Sequence, residues 1–225
     1  QGRSGDRVVS MVRAGLIAAA GSLTVAYKAQ VVAATSPATS SSFTPTANAK
    51  IYVFATIRRN GSLPNAATIT DNLGSPLTYT NLFSVPHSPA LDPYQLLMCW
   101  EAQAGASPVA MTVQVTSASA NAVLITIIEV LGAATPTNFG NATSITGSPT
   151  LTLATAPAST SLVATFLHVQ GTVAIDPPTG MLELQETAGG TARQEIATTF
   201  AANQSYAYSS AGNVNSVGAI MEITR

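Results

Sequence analysis

The chain has 225 residues, of which 46% are apolar and only 8% charged, with a formal net charge of −1. This apolar content excludes a disordered chain, and the charge balance excludes a global positive field for nucleic acid or anionic lipid. A single cysteine excludes an internal disulfide and cysteine-rich zinc sites.

The length allows one large domain or two small ones, and β-sandwiches of this size commonly form one unit. The charged fraction compares with roughly 25% in an average soluble domain. Ala, Thr, Ser, Val and Asn fill the difference, so the surface relies on hydroxyls and amides. Such a surface costs less to desolvate than an ionic one, because burying a neutral polar group is cheaper than burying a charge. That suits a protein packed against copies of itself or against a partner. It equally suits a secreted β domain with a Ser/Thr-rich surface.

Residues 1–20 read as an N-terminal arm. Arg3, Arg7 and Arg13 stand against Asp6 alone within residues 1–13, opposite in sign to the rest of the chain. A basic arm on an acidic body can dock on an acidic neighbour. Val8, Val9, Val12 and Leu16 supply its apolar contacts. Val8, Val12, Leu16 and Ala19 share a face at helical spacing, while Gly15 and Gly21 favour an extended course. Met11 onward also has the rhythm of a short signal peptide, but it reads better as an arm leading into the first strand. No apolar run reaches the roughly 20 residues of a membrane span.

From Leu23 the pattern is one of strands. Residues 23–32 form the first, followed by a Ser/Thr/Pro loop at 35–42. Residues 49–57 are β-branched and aromatic and close on Asn60-Gly61, a turn signal. Strands follow at 67–70 and 77–83, separated by the turn Asp71 to Gly74. The three prolines in 85–93 predict a loop. Strands are then expected at 94–102, 110–116 and 122–131. Cys99, in the run Leu96 to Trp100, reads as a small buried hydrophobe.

The second half repeats this order. Residues 162–169 answer 51–58, 181–187 answer 77–83, and 194–201 answer 95–102. Residues 113–131 match 206–224 without a gap, pairing Ser117 with Ser210 and Glu129 with Glu222. The pseudo-repeats span about 21–134 and 135–225. Two small sandwiches or one shared core both explain the repeat. The short link at 135–148 resembles a sheet-to-sheet crossover, which favours a single sandwich over 21–225.

The inventory for chemistry is thin. His87 lies in a Pro-rich loop and His168 in a strand, with no metal-binding spacing between them. A strand histidine alone is more often structural. No G-x-S-x-G elbow is present. Glu183 and Glu186 differ by three and face opposite sides of a strand, so they make no glycosidase pair. Glu129 and Glu222 are expected to end their strands in solvent or against an arginine. Asp71 and Asp176 read as turn formers rather than calcium ligands. Tyr52, Phe54, Tyr206 and Tyr208 read as core at period 2, with an exposed sugar platform as the alternative. No catalytic, cofactor or metal site is assigned.

The order of motifs resembles a known group. It runs through Thr46 to Phe54, Ile69 to Gly74, Met98 to Ala102, Met111 to Thr116, and Ile127 to Gly132. It re-enters at Thr155 to Val163. This is similar to jelly-roll proteins encoded by tailed bacteriophages and by some bacterial surface genes, over residues 23–225. The resemblance implies a jelly-roll-like antiparallel β-sandwich and a non-enzymatic virion protein. The expectation is a capsid decoration protein on the particle surface. It would bind the major capsid protein or another virion protein, form a homo-oligomer, and take up neither nucleic acid nor membrane. Arg3, Arg7, Val8, Val9, Val12, Arg13 and Leu16 would make the attachment. The alternative is a glycan-binding module of a tail or cell surface.

Overall fold

The computed structural model describes residues 23–87, 93–144, 148–171, 174–189, 192–200, 203–209 and 215–225. The arm and all seven of its expected contact residues lie outside these.

The described chain is all-β, with antiparallel sheets arranged as a sandwich. The strands of the first half are β1 (Thr24–Ala33), β2 (Ala38–Thr39), β3 (Lys50–Arg59), β4 (Thr68–Asp71), β5 (Thr80–His87), β6 (Tyr94–Gln103), β7 (Val113–Thr116) and β8 (Ala122–Leu131). Those of the second are β9 (Asn138–Ser144), β10 (Thr150–Thr152), β11 (Leu162–Gln170), β12 (Leu182–Gly189), β13 (Ala192–Phe200), β14 (Ser205–Ala207) and β15 (Asn215–Ile223).

Each half builds its own sheets. The first makes a five-stranded sheet, β1-β8-β3-β6-β5, and a three-stranded one, β2-β7-β4. The second makes β12-β13-β11-β15-β9 and the pair β10-β14. Read from the opposite edge, the two large sheets have the same strand order. The register makes the equivalence residue by residue: Ile51 pairs with Glu129 as Val163 pairs with Glu222. Even the irregularity is duplicated. Leu82 bulges from β5 and Leu184 from β12 at equivalent places, which tightens the local twist of both edge strands.

Three apolar clusters separate four layers. One lies between the large and small sheets of the first half, with Ile51, Val53, Trp100, Val115 and Ile125. A second lies between the sheets of the other half, with Leu151, Val163, Leu167 and Tyr206. The third joins the large sheets back to back, through Tyr52, Phe54, Leu97, Phe166, Ile196 and Met221. Thus the halves share one core, and each closes a further one of its own.

This stacking explains why the central strands carry unbroken apolar runs. In β3, Ile51 to Ile57 are all buried, as are Val123 to Val130 in β8. A sheet covered on one face alternates polar and apolar residues. A sheet covered on both cannot.

Three expected loops contain strand. The loop at 35–42 holds the short strand β2, which pairs with β7. Residues 85–87 continue β5 despite Pro86. The strand lies at a sheet edge, where a missing N–H costs no ladder bond. The link at 135–148 holds β9, the polar edge strand of the second large sheet. Its one large apolar residue, Phe139, packs into the central core, 6.1 Å from Phe83. Gly140 of β9 lets β10 pass close by. A Cβ there would stand 1.7 Å from the Thr152 carbonyl oxygen.

Candidate functional site

The central interface is apolar along most of its length and polar at one end. Successive residues of β3 that face it are Tyr52, Phe54, Thr56 and Arg58. Phe54 meets Phe166 at 4.9 Å. Beyond the rings, Arg58 stands opposite Gln95 on β6, and Gln95 opposite His87 on β5. These three side chains form one row across the first large sheet. On the facing sheet His168 stands opposite Gln194. The chain's two histidines therefore meet at one place, although the sequence puts one in a loop and the other alone in a strand.

The burial of this group is deep. His168, Gln95, Gln194 and Thr56 are fully enclosed, and His87 is buried. Among the described residues, many of their polar atoms have no hydrogen-bond partner. These are Thr56 Oγ1, Arg58 Nε, His87 Nε2, both amide atoms of Gln95, both ring nitrogens of His168, and Gln194 Oε1. Burial pushes His168 well below the ordinary histidine range, and Arg58 and His87 add repulsion in the same direction. Burial also lowers His87 and Arg58. Both imidazoles are thus neutral near pH 7, each offering one N–H donor and one acceptor nitrogen.

Beside this row runs a hydrogen-bonded polar network. Gln194 Nε2 donates to Thr126 Oγ1 at 2.7 Å. Thr126 and Thr187 hydroxyls lie 3.3 Å apart, and Thr187 Oγ1 donates to Gln30 Oε1 at 2.5 Å. It ties β1 and β8 of one half to β12 and β13 of the other.

The carboxylates have structural partners. Glu129 is buried, not solvent-facing. It accepts the Thr46 amide at 2.8 Å, the Thr46 hydroxyl at 2.6 Å and Lys28 Nζ at 3.1 Å. Its equivalent Glu222 accepts the Ala158 amide at 2.8 Å and Asn138 Nδ2 at 2.7 Å. Burial alone would raise Glu222, but hydrogen bonds from Asn138, Ser161 and Ala158 outweigh it and hold the carboxyl low. Among the described residues neither glutamate pairs with an arginine, and the two do not face one another across a cleft. Glu101 holds the junction between halves, taking Thr135 Oγ1 at 2.8 Å and Lys50 Nζ at 3.2 Å. Asp71 accepts the Leu73 and Leu77 amides, each at 2.9 Å, as a turn former does.

Glu195 faces away from the central interface. In the second half's own core, burial pushes its carboxyl up to about 9, and Glu183, Glu186 and Asp176 add to the rise against an opposing contribution from Tyr208. Tyr52, Phe54, Tyr206 and Tyr208 are all buried and present no sugar platform. Cys99 is fully buried with its thiol pushed up, the setting of an inert core residue. Among the described residues no group of three His, Cys, Asp or Glu is placed to hold a metal ion, and no helix is long and apolar enough to cross a membrane.

The polar end of the interface was hidden in the sequence because its members come from five strands of both halves. One signal was available: Thr56, Arg58, Gln95, His168 and Gln194 interrupt or end apolar runs that are otherwise continuous. No protein-family model, curated protein or solved structure matches the chain.

Proposed function

We propose that the chain is a non-enzymatic structural protein of a tailed-bacteriophage particle, a jelly-roll-type decoration protein that binds the shell and stabilises it. The observation that carries this reading is the near absence of charge on the described surface. Asp71, Glu101, Glu129, Glu195 and Glu222 are all buried. Lys28, Lys50, Arg58, Arg59, Glu186 and Arg193 are only partly exposed, which leaves Asp176, Glu183 and Arg225 as the exposed charges among the described residues.

The sequence's charge count therefore overstates the ionic character of the outer face. A surface of hydroxyls and amides gives up its water at little cost when it is covered. Internal carboxylates that staple loops to strands make the body rigid, so little further ordering is needed on binding. Binding to assembled shell and not to free subunits would stabilise the particle by mass action. The arm, with Arg3, Arg7, Arg13, Val8, Val9, Val12 and Leu16, would reach the neighbouring major capsid protein, and a symmetric homo-oligomer would fit the particle's symmetry.

The test is mass spectrometry of purified particles together with rebinding of protein lacking residues 1–20. The expected result is a copy number in proportion to the shell protein, and loss of binding on truncation. Absence from purified particles would overturn the assignment. Normal binding of the truncated protein would overturn the role of the arm.

A further inference from the structure

We propose that the Arg58 end of the central interface is a binding site for a hydrogen-phosphate group, held between the two pseudo-repeats by Arg58, His87 and Gln95 on one sheet and His168 and Gln194 on the other. The argument begins with satisfaction of buried polar atoms. Each one left without a partner carries its full desolvation penalty. Here a whole group of them is enclosed together where the two large sheets face one another. An occupant that satisfies several at once removes that cost.

Charge selects the class of occupant. The ion pairs of the described residues are Lys28–Glu129, Lys50–Glu101 and Arg193–Glu186. None involves Arg58. Glu101 and Glu129 lie toward the far end of β3, opposite Tyr52 and Ile51. Glu195 lies on the other face of its sheet. Arg58 is thus a half-buried cation with no described carboxylate beside it, which calls for an anion.

The donor and acceptor pattern narrows the choice further. Arg58 Nε, the Gln95 amide nitrogen, the Thr56 hydroxyl and one nitrogen of each imidazole can donate. Gln95 Oε1, Gln194 Oε1 and the second nitrogen of His168 accept. A sulfate at neutral pH offers only acceptors and would leave the last set unsatisfied. Hydrogen phosphate carries acceptor oxygens and at least one O–H donor, and so matches both.

The site occurs once. By register the equivalents of Arg58 and Thr56 in the other half are Gln170 and His168. The chemistry is therefore assembled from both halves across the pseudo-two-fold interface, rather than carried by each.

The experiment is calorimetric titration of the full chain with inorganic phosphate at constant ionic strength, alongside sulfate. The expected result is saturable binding of one phosphate per chain and weaker binding of sulfate. The imidazole nitrogen signals of both His87 and His168 should shift during the phosphate titration. Arg58→Gln should weaken binding at least about tenfold. Should that variant not fold, Arg58→Lys, which keeps the charge and loses the fork, should still weaken it.

Failure of the wild-type chain to bind phosphate would overturn the proposal and leave water as the occupant. So would binding that Arg58→Gln and Arg58→Lys both leave unchanged, or sulfate binding as tight as phosphate.

Discussion

Phe54 and Phe166 lie with ring centroids 4.9 Å apart, tilted at 45°, and occupy equivalent positions in the two pseudo-repeats. The central interface is thus built like that of a symmetric dimer, in which a surface patch meets its own copy. Here the two copies are joined in one chain through the segment that Glu101 and Lys50 hold at Thr135.

The pair gives a direct test of that interface. Phe54→Ala and Phe166→Ala should each destabilise the protein by about 3–5 kcal/mol, as for other buried phenylalanines. The double variant should cost less than the sum, by on the order of 1 kcal/mol, because each ring loses the same partner. Urea unfolding of the wild type, both single variants and the double variant measures this. Strict additivity would mean that the rings are not energetically coupled.

Glu129 and Glu222 give a second test, because they share a position and differ in partners. Glu129→Ala strands Lys28 Nζ and the Thr46 amide; about 3 kcal/mol is expected from the loss of a buried pair. Glu222→Ala removes only neutral donors, those of Asn138, Ser161 and Ala158, and about 2 kcal/mol is expected. Double substitution of Lys28 by Met with Glu129 by Gln should recover a part of the first loss. Equal effects of the two single alanine variants would show that the Lys28 ion pair contributes nothing.

Strand order and repeat were legible in the sequence because apolar runs and turn residues are local signals. The match of 113–131 with 206–224 became the equivalence of β7 and β8 with β14 and β15. Four layers were harder to see. Their mark is the missing alternation in Ile51 to Ile57 and Val123 to Val130, which signals strand but does not say what covers the second face. β9 leaves no local signal because Asn138 to Ser144 is an edge strand with a single large apolar residue. The burial of Glu129 is not visible locally because its partners, Thr46 and Lys28, are far away in sequence and meet it only through the sheet. The polar site was illegible for the same reason: no two of His87, Arg58 and His168 are near neighbours in the chain.

Glu195 and His168 together set the pH dependence of stability, with opposite signs. The folded chain holds the Glu195 carboxyl at about 9, against 4.5 ordinarily. Between those values the folded state binds more protons than the unfolded one, so stability falls as pH rises. Its contribution is complete below 4.5 and lost by about 9, with a cost on the order of 3 kcal/mol at pH 7. His168 is held well below its ordinary 6.5. Its contribution is present above 6.5 and is lost as pH falls toward the folded value. The two slopes oppose one another just below 6.5, where the unfolded His168 gains its proton and the folded one does not. The wild-type urea midpoint should therefore change little just below 6.5 and decline on the alkaline side. Glu195→Gln, which cannot ionise, should be more stable than the wild type at pH 7 and should reduce the alkaline decline to the part that Glu183, also raised by burial, contributes in the same direction. The acid-side loss should persist in that variant, since Glu183, Glu186, Asp176 and Tyr208 face Glu195 and not His168. An alkaline decline that survives Glu195→Gln unchanged would assign it to another group.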